Sequence, residues 1–505
     1  MIRRRRTTMA AVLVLGTLLT GCGGTGSTGG APGVDPTLRI ATRDIDDLDE
    51  YGGEATIMGT QVEETLTQFD DASGQVVPWL AKEVPTTSDN GVNWDITVRD
   101  GVTWHDGTPL DAASVVAAFE RAIPNNGAEL AGFVGAARIA GVTATGPMTL
   151  RLTYKSSEPL VPRMLAIFKL QKATGQADHP IGTGPYKLDR WQRGQSVKLT
   201  RNDAYWGPKP QVKDIDFRIV PDAGARLSAL LAKEVDLITN LQPEDAKRVP
   251  HLIDGESIKF PLFVLNTESG PTADVRVRQA MNHAIDQQAI LEQIYGGYGD
   301  VENCQANGPG NVGYNASLKP YAFDVEKAKQ LIREAGAEGA SIKVLGVQGR
   351  WLKDREITDA VAQMWRDIGL NATVTIAPTF DQWSQGARDK TDARPSAYFV
   401  TRNLFERDLS GLRYYLLPRE MGFSYSNYAN KAVSDPFLTA NASVDVPTRD
   451  AAFQKIAATV CDDAPFAFGV RPRDLYGVAD GVTVKPQRNG ETYLKAQDVT
   501  MTSSS

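Results

Sequence analysis

Cysteine and histidine are scarce in this sequence, with three Cys and four His among 505 residues. No H-E-x-x-H helix and no paired C-x-x-C arrangement occurs, so nothing argues for direct ligation of a zinc or nickel ion. Also lacking are a G-x-S-x-G elbow, a Walker loop and a dinucleotide fingerprint set between a strand and a helix. Those absences remove the commonest signatures of hydrolases, NTPases and dehydrogenases. Positive charge is in deficit: 54 Lys and Arg against 61 Asp and Glu give a formal charge of -7, which argues against general nucleic-acid binding. Aromatic residues make up only 8% of the chain. What is present is ordinary globular material, 42% hydrophobic and 23% charged, so disorder, collagen-like repeats and a multi-pass membrane protein are excluded. At roughly 100–200 residues per domain, the length predicts two to four domains.

The N-terminus carries the sharpest local signal. Arg3, Arg4, Arg5 and Arg6 precede an almost wholly apolar run from Met9 to Leu19. That run falls well short of the ~20 residues a bilayer-spanning helix needs, and it fits the core of a secretory signal peptide over residues 1–21. Leu19-Thr20-Gly21-Cys22 looks like a bacterial lipobox, in which the Cys22 thiol carries a diacylglyceryl group and palmitate-type acyl chains supply a stable anchor. The competing reading is an ordinary signal peptide with a chance cysteine. Residues 22–35, rich in Gly, Ser and Thr, read as a flexible tether. Cleavage before Cys22 takes 21 residues from 505 and leaves 484; it removes four Arg and no acid, shifting the charge from -7 to −11. Cys304 and Cys461 remain. An exported chain with two such cysteines suggests a disulfide, with two buried free thiols as the alternative, since sequence spacing does not show whether their Cα atoms lie within the required ~7 Å.

Beyond residue 34, strand-like and helix-like patterns alternate. Trp94-Asp95-Ile96-Thr97-Val98 alternates in and out, Asp100-Gly101 offers a turn, and Val102-Thr103-Trp104 predicts the returning arm of a hairpin. Asp111, Asp222, Asp274, Asp286 and Asp324 each stand at the N-cap of a predicted helix, and Gly296-Gly297, Gly336 and Gly369 at helix stops. Strand Ile342 to Val347, a helix bearing Ile357, Val361, Trp365 and Ile368, and strand Ala372 to Ile376 predict parallel pairing. The fold class is mixed α/β.

Three segments taken together resemble the family 5 extracytoplasmic solute-binding proteins, the dipeptide/oligopeptide/nickel class. They are Trp94 to Val98 running into His105-Asp106-Gly107-Thr108-Pro109-Leu110; Gly182-Thr183-Gly184-Pro185-Tyr186 with Asn202-Asp203-Ala204-Tyr205-Trp206-Gly207; and Asn266-Thr267 with Asp274 to Met281 and Ala284-Ile285-Asp286. Most of these residues read as structural: glycines for turn freedom, aromatics for core, and His105 for turn capping rather than catalysis. The resemblance implies an α/β, two-lobed, periplasmic-binding-protein-like architecture (class II, cluster C) with an extra subdomain in the N-terminal lobe. The expected division is 36–55, 171–262 and 470–505 for lobe I, 56–170 for the extra subdomain, and 263–469 for lobe II. Phe263 to Thr267 and Phe466 to Val470 would carry the chain across; they also read as buried core strands, and both readings can hold.

The resemblance further implies a non-enzymatic, monomeric receptor outside the cytoplasm, lipid-anchored on the outer face of the cytoplasmic membrane. It would capture a small solute, most simply a peptide or peptide-like and anionic compound, and deliver it to ABC permease subunits driven by cytoplasmic ATPases. No cofactor, resident metal or nucleic acid is expected. An envelope lipoprotein using the fold for signalling or cell-wall assembly is the alternative, and a secreted hydrolase a remote one. In peptide-binding relatives an acid after a Trp-containing strand meets the peptide ammonium. Here Tyr398 or Phe399 holds the Trp position, and Glu406 or Asp408 would be the acid. Arg402 adds a cation suited to carboxylate or phosphate, or is structurally paired. Further wall candidates are Tyr51, Glu54, Asn266, Trp383, Phe423 and Tyr425.

Overall fold

In the computed structural model, the described residues are 36–502 apart from 44, 46–57, 72, 126–137, 177, 392, 419–424, 427 and 486–493. The leader, Cys22, the tether, Tyr51, Glu54 and Phe423 lie outside them.

Two large sheets organise the chain. The first has seven strands in the order His251–Gly255, Asp474–Val478, Leu237–Ile238, Thr37–Thr42, Asp214–Ile219, Ser196–Arg201, Tyr186–Gln192. Its centre is parallel, with Thr37–Thr42 between Asp214–Ile219 and Leu237–Ile238. The C-terminal strand Asp474–Val478 returns from the far end of the sequence to pair with the 237–238 and 251–255 strands. The second sheet has five strands, in the order Asn371–Ala377, Ser341–Val347, Ala397–Asn403, Lys259–Leu265, Phe466–Phe468. Both its faces are buried. Phe260, Leu262 and Val264 enter one core and Phe263 and Leu265 another, so Lys259–Leu265 reads as one apolar run rather than an alternation.

The strand–helix–strand unit forms as its periodicity predicts, with Ser341–Val347 parallel to Asn371–Ala377 and Asp354–Asp367 between them. Asp222, Asp274, Asp286 and Asp324 each accept a hydrogen bond from an amide two or three residues on, at 2.7–2.9 Å. The lobe boundary expected at 262–263 falls inside the strand Lys259–Leu265. That strand belongs wholly to the second sheet, because its full length pairs with Ala397–Asn403. The outward passage is therefore Glu256 to Ile258 and the return passage lies between Phe468 and Asp474. Arg471 joins the two passages by donating to the Ser257 carbonyl at 3.0 Å, and it also pairs with Glu302 at 2.7 Å and Asp300 at 3.0 Å by the strand Gly299–Val301, while buried Lys259 meets buried Asp474 at 3.3 Å.

The extra subdomain has its own three-stranded sheet, in the order Asn93–Thr97, Thr149–Tyr154, Ile139–Ala144, covered by the helix Ala112–Asn125. The hairpin expected at 94–104 does not form. Asn93–Thr97 pairs with Thr149–Tyr154, while Val102 and Trp104 turn into the core beneath the helix. Gly101 does make the turn, at φ 79°, but burying Trp104 outweighs the local hairpin preference.

Gly101 and Gly107 take the positive φ expected at turns, at 79° and 83°, but two of the signature glycines act differently. Gly182 and Gly184 are not left-handed; a Cβ on either would lie 1.9 Å from Val62 O or 2.4 Å from Gln61 O, so they permit close backbone approach. At this junction the buried Glu64 carboxylate accepts from Trp79 Nε1 (2.7 Å), Thr183 Oγ1 (2.8 Å), Tyr205 OH (2.8 Å) and Trp206 Nε1 (2.9 Å). His105 interlocks beside it, its Nε2 3.0 Å from the Gly184 carbonyl and its own amide donating to Gly182 O at 2.9 Å. Burial holds its pKa down at about 4, so the ring is neutral. In the second lobe, Cys304 and Cys461 are joined by a disulfide with Cα atoms 5.0 Å apart.

Candidate ligand-binding cleft

The segment after the strand Ala397–Asn403 concentrates the second lobe's polar chemistry. The chain leaves the sheet, turns through Arg407 in the left-handed region (φ 48°), and enters the short 3-10 helix Leu409–Leu412. Asp408 caps that helix, accepting from Ser410 N at 2.9 Å, and it also meets Arg449 Nη2 at 2.8 Å. Both partners of this ion pair are almost completely buried. Asp408 is thus held by a structural cation, and an arriving ammonium would have to displace Arg449.

Glu406 stands differently. It is 1% exposed, its Oε1 lies 3.8 Å from Arg402 Nη2, and its Oε2 has no hydrogen-bond partner among the described residues. Arg402 donates from Nη2 to Gly411 O at 3.3 Å, while its Nε, Asn403 Oδ1 and Ser410 Oγ have no hydrogen-bond partner among the described residues. Leaving a buried polar atom unbonded costs about 1–3 kcal/mol. Several such atoms of both polarities within residues 402–410 mark a place where a polar ligand, or water, recovers hydrogen bonds. The arrangement offers a carboxylate to a cation and a guanidinium to an anion.

Among the described residues, the structure does not gather the remaining candidates into one wall. Asn266 lies at the opposite end of the paired strands from Arg402, and its side chain closes a local turn onto Glu268 N and Ser269 Oγ. Trp383 is 2% exposed, donates to Phe399 O at 3.1 Å, and packs edge-on against Tyr398 and Trp351. Tyr398 is core as well, donating to Tyr425 O at 2.8 Å, and burial pushes its phenol pKa up. Tyr425 is half-buried, stacked on Tyr415 at 5.6 Å, with the Arg388 guanidinium 4.6 Å over its ring and bonded to its hydroxyl. Two residues were missed. Arg449 falls on the apolar stripe formed by Phe453, Ile456 and Val460, and a charge on a buried stripe is a readable sign of a buried ion pair. Glu158, 0% exposed and ion-paired with Arg138, gave no such sign. Among the described residues no group of three or more His, Cys, Asp or Glu could hold a metal ion.

The family model for bacterial extracellular solute-binding proteins, family 5 Middle, matches residues 75–400. The chain belongs to this family. Among curated family 5 relatives, the nickel-binding periplasmic protein of Escherichia coli K12 is 32% identical over 55% of this chain and 56% of its own length. The dipeptide-binding protein of the same organism is 26% identical over 79% of this chain and 82% of its own. The chain therefore spans little more than half of the nickel-binding relative. Among solved structures, the Helicobacter pylori periplasmic binding protein DppA, in complex with the peptide STSA, superposes with a TM-score of 0.75 at 21% identity, covering 92% of this chain and 98% of that one. Such likeness establishes the two-lobed fold. Family 5 members are solute-binding transport proteins rather than enzymes.

Proposed function

We propose that this chain is the solute receptor of an ABC importer, taking a zwitterionic, peptide-like compound between its lobes and handing it to the membrane permease. The observation that carries this reading is the pair Glu406 and Arg402, a buried acid and a partly buried guanidinium 3.8 Å apart, each with an atom that has no hydrogen-bond partner among the described residues. An α-ammonium suits the first and a carboxylate suits the second, which grips planar anions bidentately. Asp408 contributes by anchoring the turn rather than by touching ligand. Tyr425 and Tyr415 supply rigid aromatic area beside it. Cys22 would carry the lipid that keeps a monomeric receptor on the outer face of the cytoplasmic membrane.

Closure draws on contacts available only when both lobes meet the solute, and bound solute raises the melting temperature by mass action. A thermal-shift screen across di- to tetrapeptides, opines and metal chelates tests the proposal. A peptide or opine hit that is lost in both Glu406→Gln and Arg402→Ala is the expected result. Affinity that survives both substitutions would overturn the site. Separately, Cys22→Ala is expected to abolish acylation; membrane attachment that survives it would overturn the anchor.

A further inference from the structure

The extra subdomain meets the second lobe through Val444, which packs against its core, and through a set of polar contacts. Arg163, on the short helix Val161–Met164, is 6% exposed and directs Nη1 at two backbone carbonyls of the second lobe, Glu406 O at 3.2 Å and Arg407 O at 3.1 Å. Arg407 sits at φ 48°, a conformation that costs a non-glycine residue about 1–3 kcal/mol unless its surroundings hold it. Its guanidinium lies 4.7 Å from the centre of the Phe69 ring and 4.0 Å from Asp71, both in the extra subdomain. Within the second lobe the same turn is tied to Val312, whose amide donates to Arg407 O at 3.0 Å and whose carbonyl accepts from Leu409 N at 3.1 Å. Farther out, Asn90 Nδ2 and Ser157 Oγ each donate to Ala442 O at 3.1 Å. Burial disfavours the charged form of Arg163, with Asp408 the leading compensating charge. When the two bodies part, that guanidinium loses both carbonyls and regains water.

We infer that Arg163 is a closure clasp: by gripping the carbonyls of Glu406 and Arg407 it couples the docking of the extra subdomain to the shape of the turn that presents Glu406. Closing the cleft and setting the site's geometry are then one event. Arg163 is a positioning residue and touches no solute itself. The functional consequence rests on the receptor reading, but the clasp is testable without any solute.

The experiment is amide hydrogen exchange by mass spectrometry on the full chain, comparing wild type, Arg163→Gln, Arg163→Lys and Phe69→Leu. In Arg163→Gln, amides of 404–412 are expected to exchange at least about tenfold faster, while those of Asn93–Thr97 and Ser341–Val347 keep wild-type rates. Arg163→Lys, which keeps the charge but loses the planar fork, gives a smaller acceleration in the same segment. Phe69→Leu, which removes the ring faced by both the Arg163 (5.8 Å) and Arg407 (4.7 Å) guanidiniums while keeping the Arg163 side chain, repeats the local pattern and decides the matter should Arg163→Gln fail to fold. Unchanged rates in 404–412 would overturn the clasp. Equal acceleration in all three segments would also overturn it, because Arg163 would then only hold its own subdomain together. A solute screen that finds nothing leaves these rates untouched, so the two proposals fail separately.

Discussion

Glu64 and Glu406 are both carboxylates sealed from solvent, at 5% and 1% exposure, yet they are treated in opposite ways. Four neutral donors converge on Glu64 from three separate stretches of chain, within 2.7–2.9 Å. Glu406 has a cation at 3.8 Å and one oxygen with no hydrogen-bond partner among the described residues. The first is a scaffold group whose bonding is complete inside the protein. The second is incomplete, and an incomplete buried acid is where a ligand gains most by arriving. Burial alone does not distinguish a knot from a site; hydrogen-bond accounting does.

The comparison can be broken by four measurements. Glu64→Ala strands four donors, one buried and three part-buried, and is expected to cost about 4 kcal/mol in urea unfolding; a loss within experimental error would show that the junction is not a knot. Asp408→Ala leaves Arg449 buried without its partner, and about 3 kcal/mol of stability is expected to go. If Asp408 instead met the solute, stability would hold while affinity fell.

His105, beside the Glu64 junction, gives a pH signature. Its folded pKa of about 4 lies below the ordinary 6.5, so the unfolded chain takes up the proton first as pH falls. Stability is full above pH 6.5 and declines toward pH 4, by at most about 3 kcal/mol. Calorimetry across that window is expected to give a flatter curve for His105→Gln, and identical curves would refute the assignment. The smallest effect on stability belongs to Glu406→Gln, expected to change it by no more than about 0.5 kcal/mol while weakening solute binding at least about tenfold. A large destabilisation there would make Glu406 a second knot.

Much of the fold was legible where its causes are local. Aspartate caps, glycine stops and the 3.6-residue stripes of the helices act over a few residues, and the elements they predict formed. The hairpin at 94–104 was misread because an Asp-Gly turn signals reversal without naming a partner. Asn93–Thr97 pairs with a strand over fifty positions away because that pairing lets Trp104 and the helix Ala112–Asn125 share one core. The candidate site was legible as a cluster of neighbouring residues but not in what each residue bonds to. Arg402, Glu406 and Asp408 do cluster, whereas Asn266 and Trp383 are occupied elsewhere, and no pattern within residues 397–408 reveals that Arg449 claims Asp408.

By itself, then, the sequence determined the α/β character and the motif set that marks family 5, since each rests on neighbouring residues or short spacings. Only the tertiary structure decided which buried carboxylate is satisfied and which is not. That outcome depends on donors and cations brought from positions as remote as Thr183 for Glu64 and Arg163 for the Glu406 turn. Short-range preference selects the elements, and the desolvation of charge inside the assembled fold selects their use.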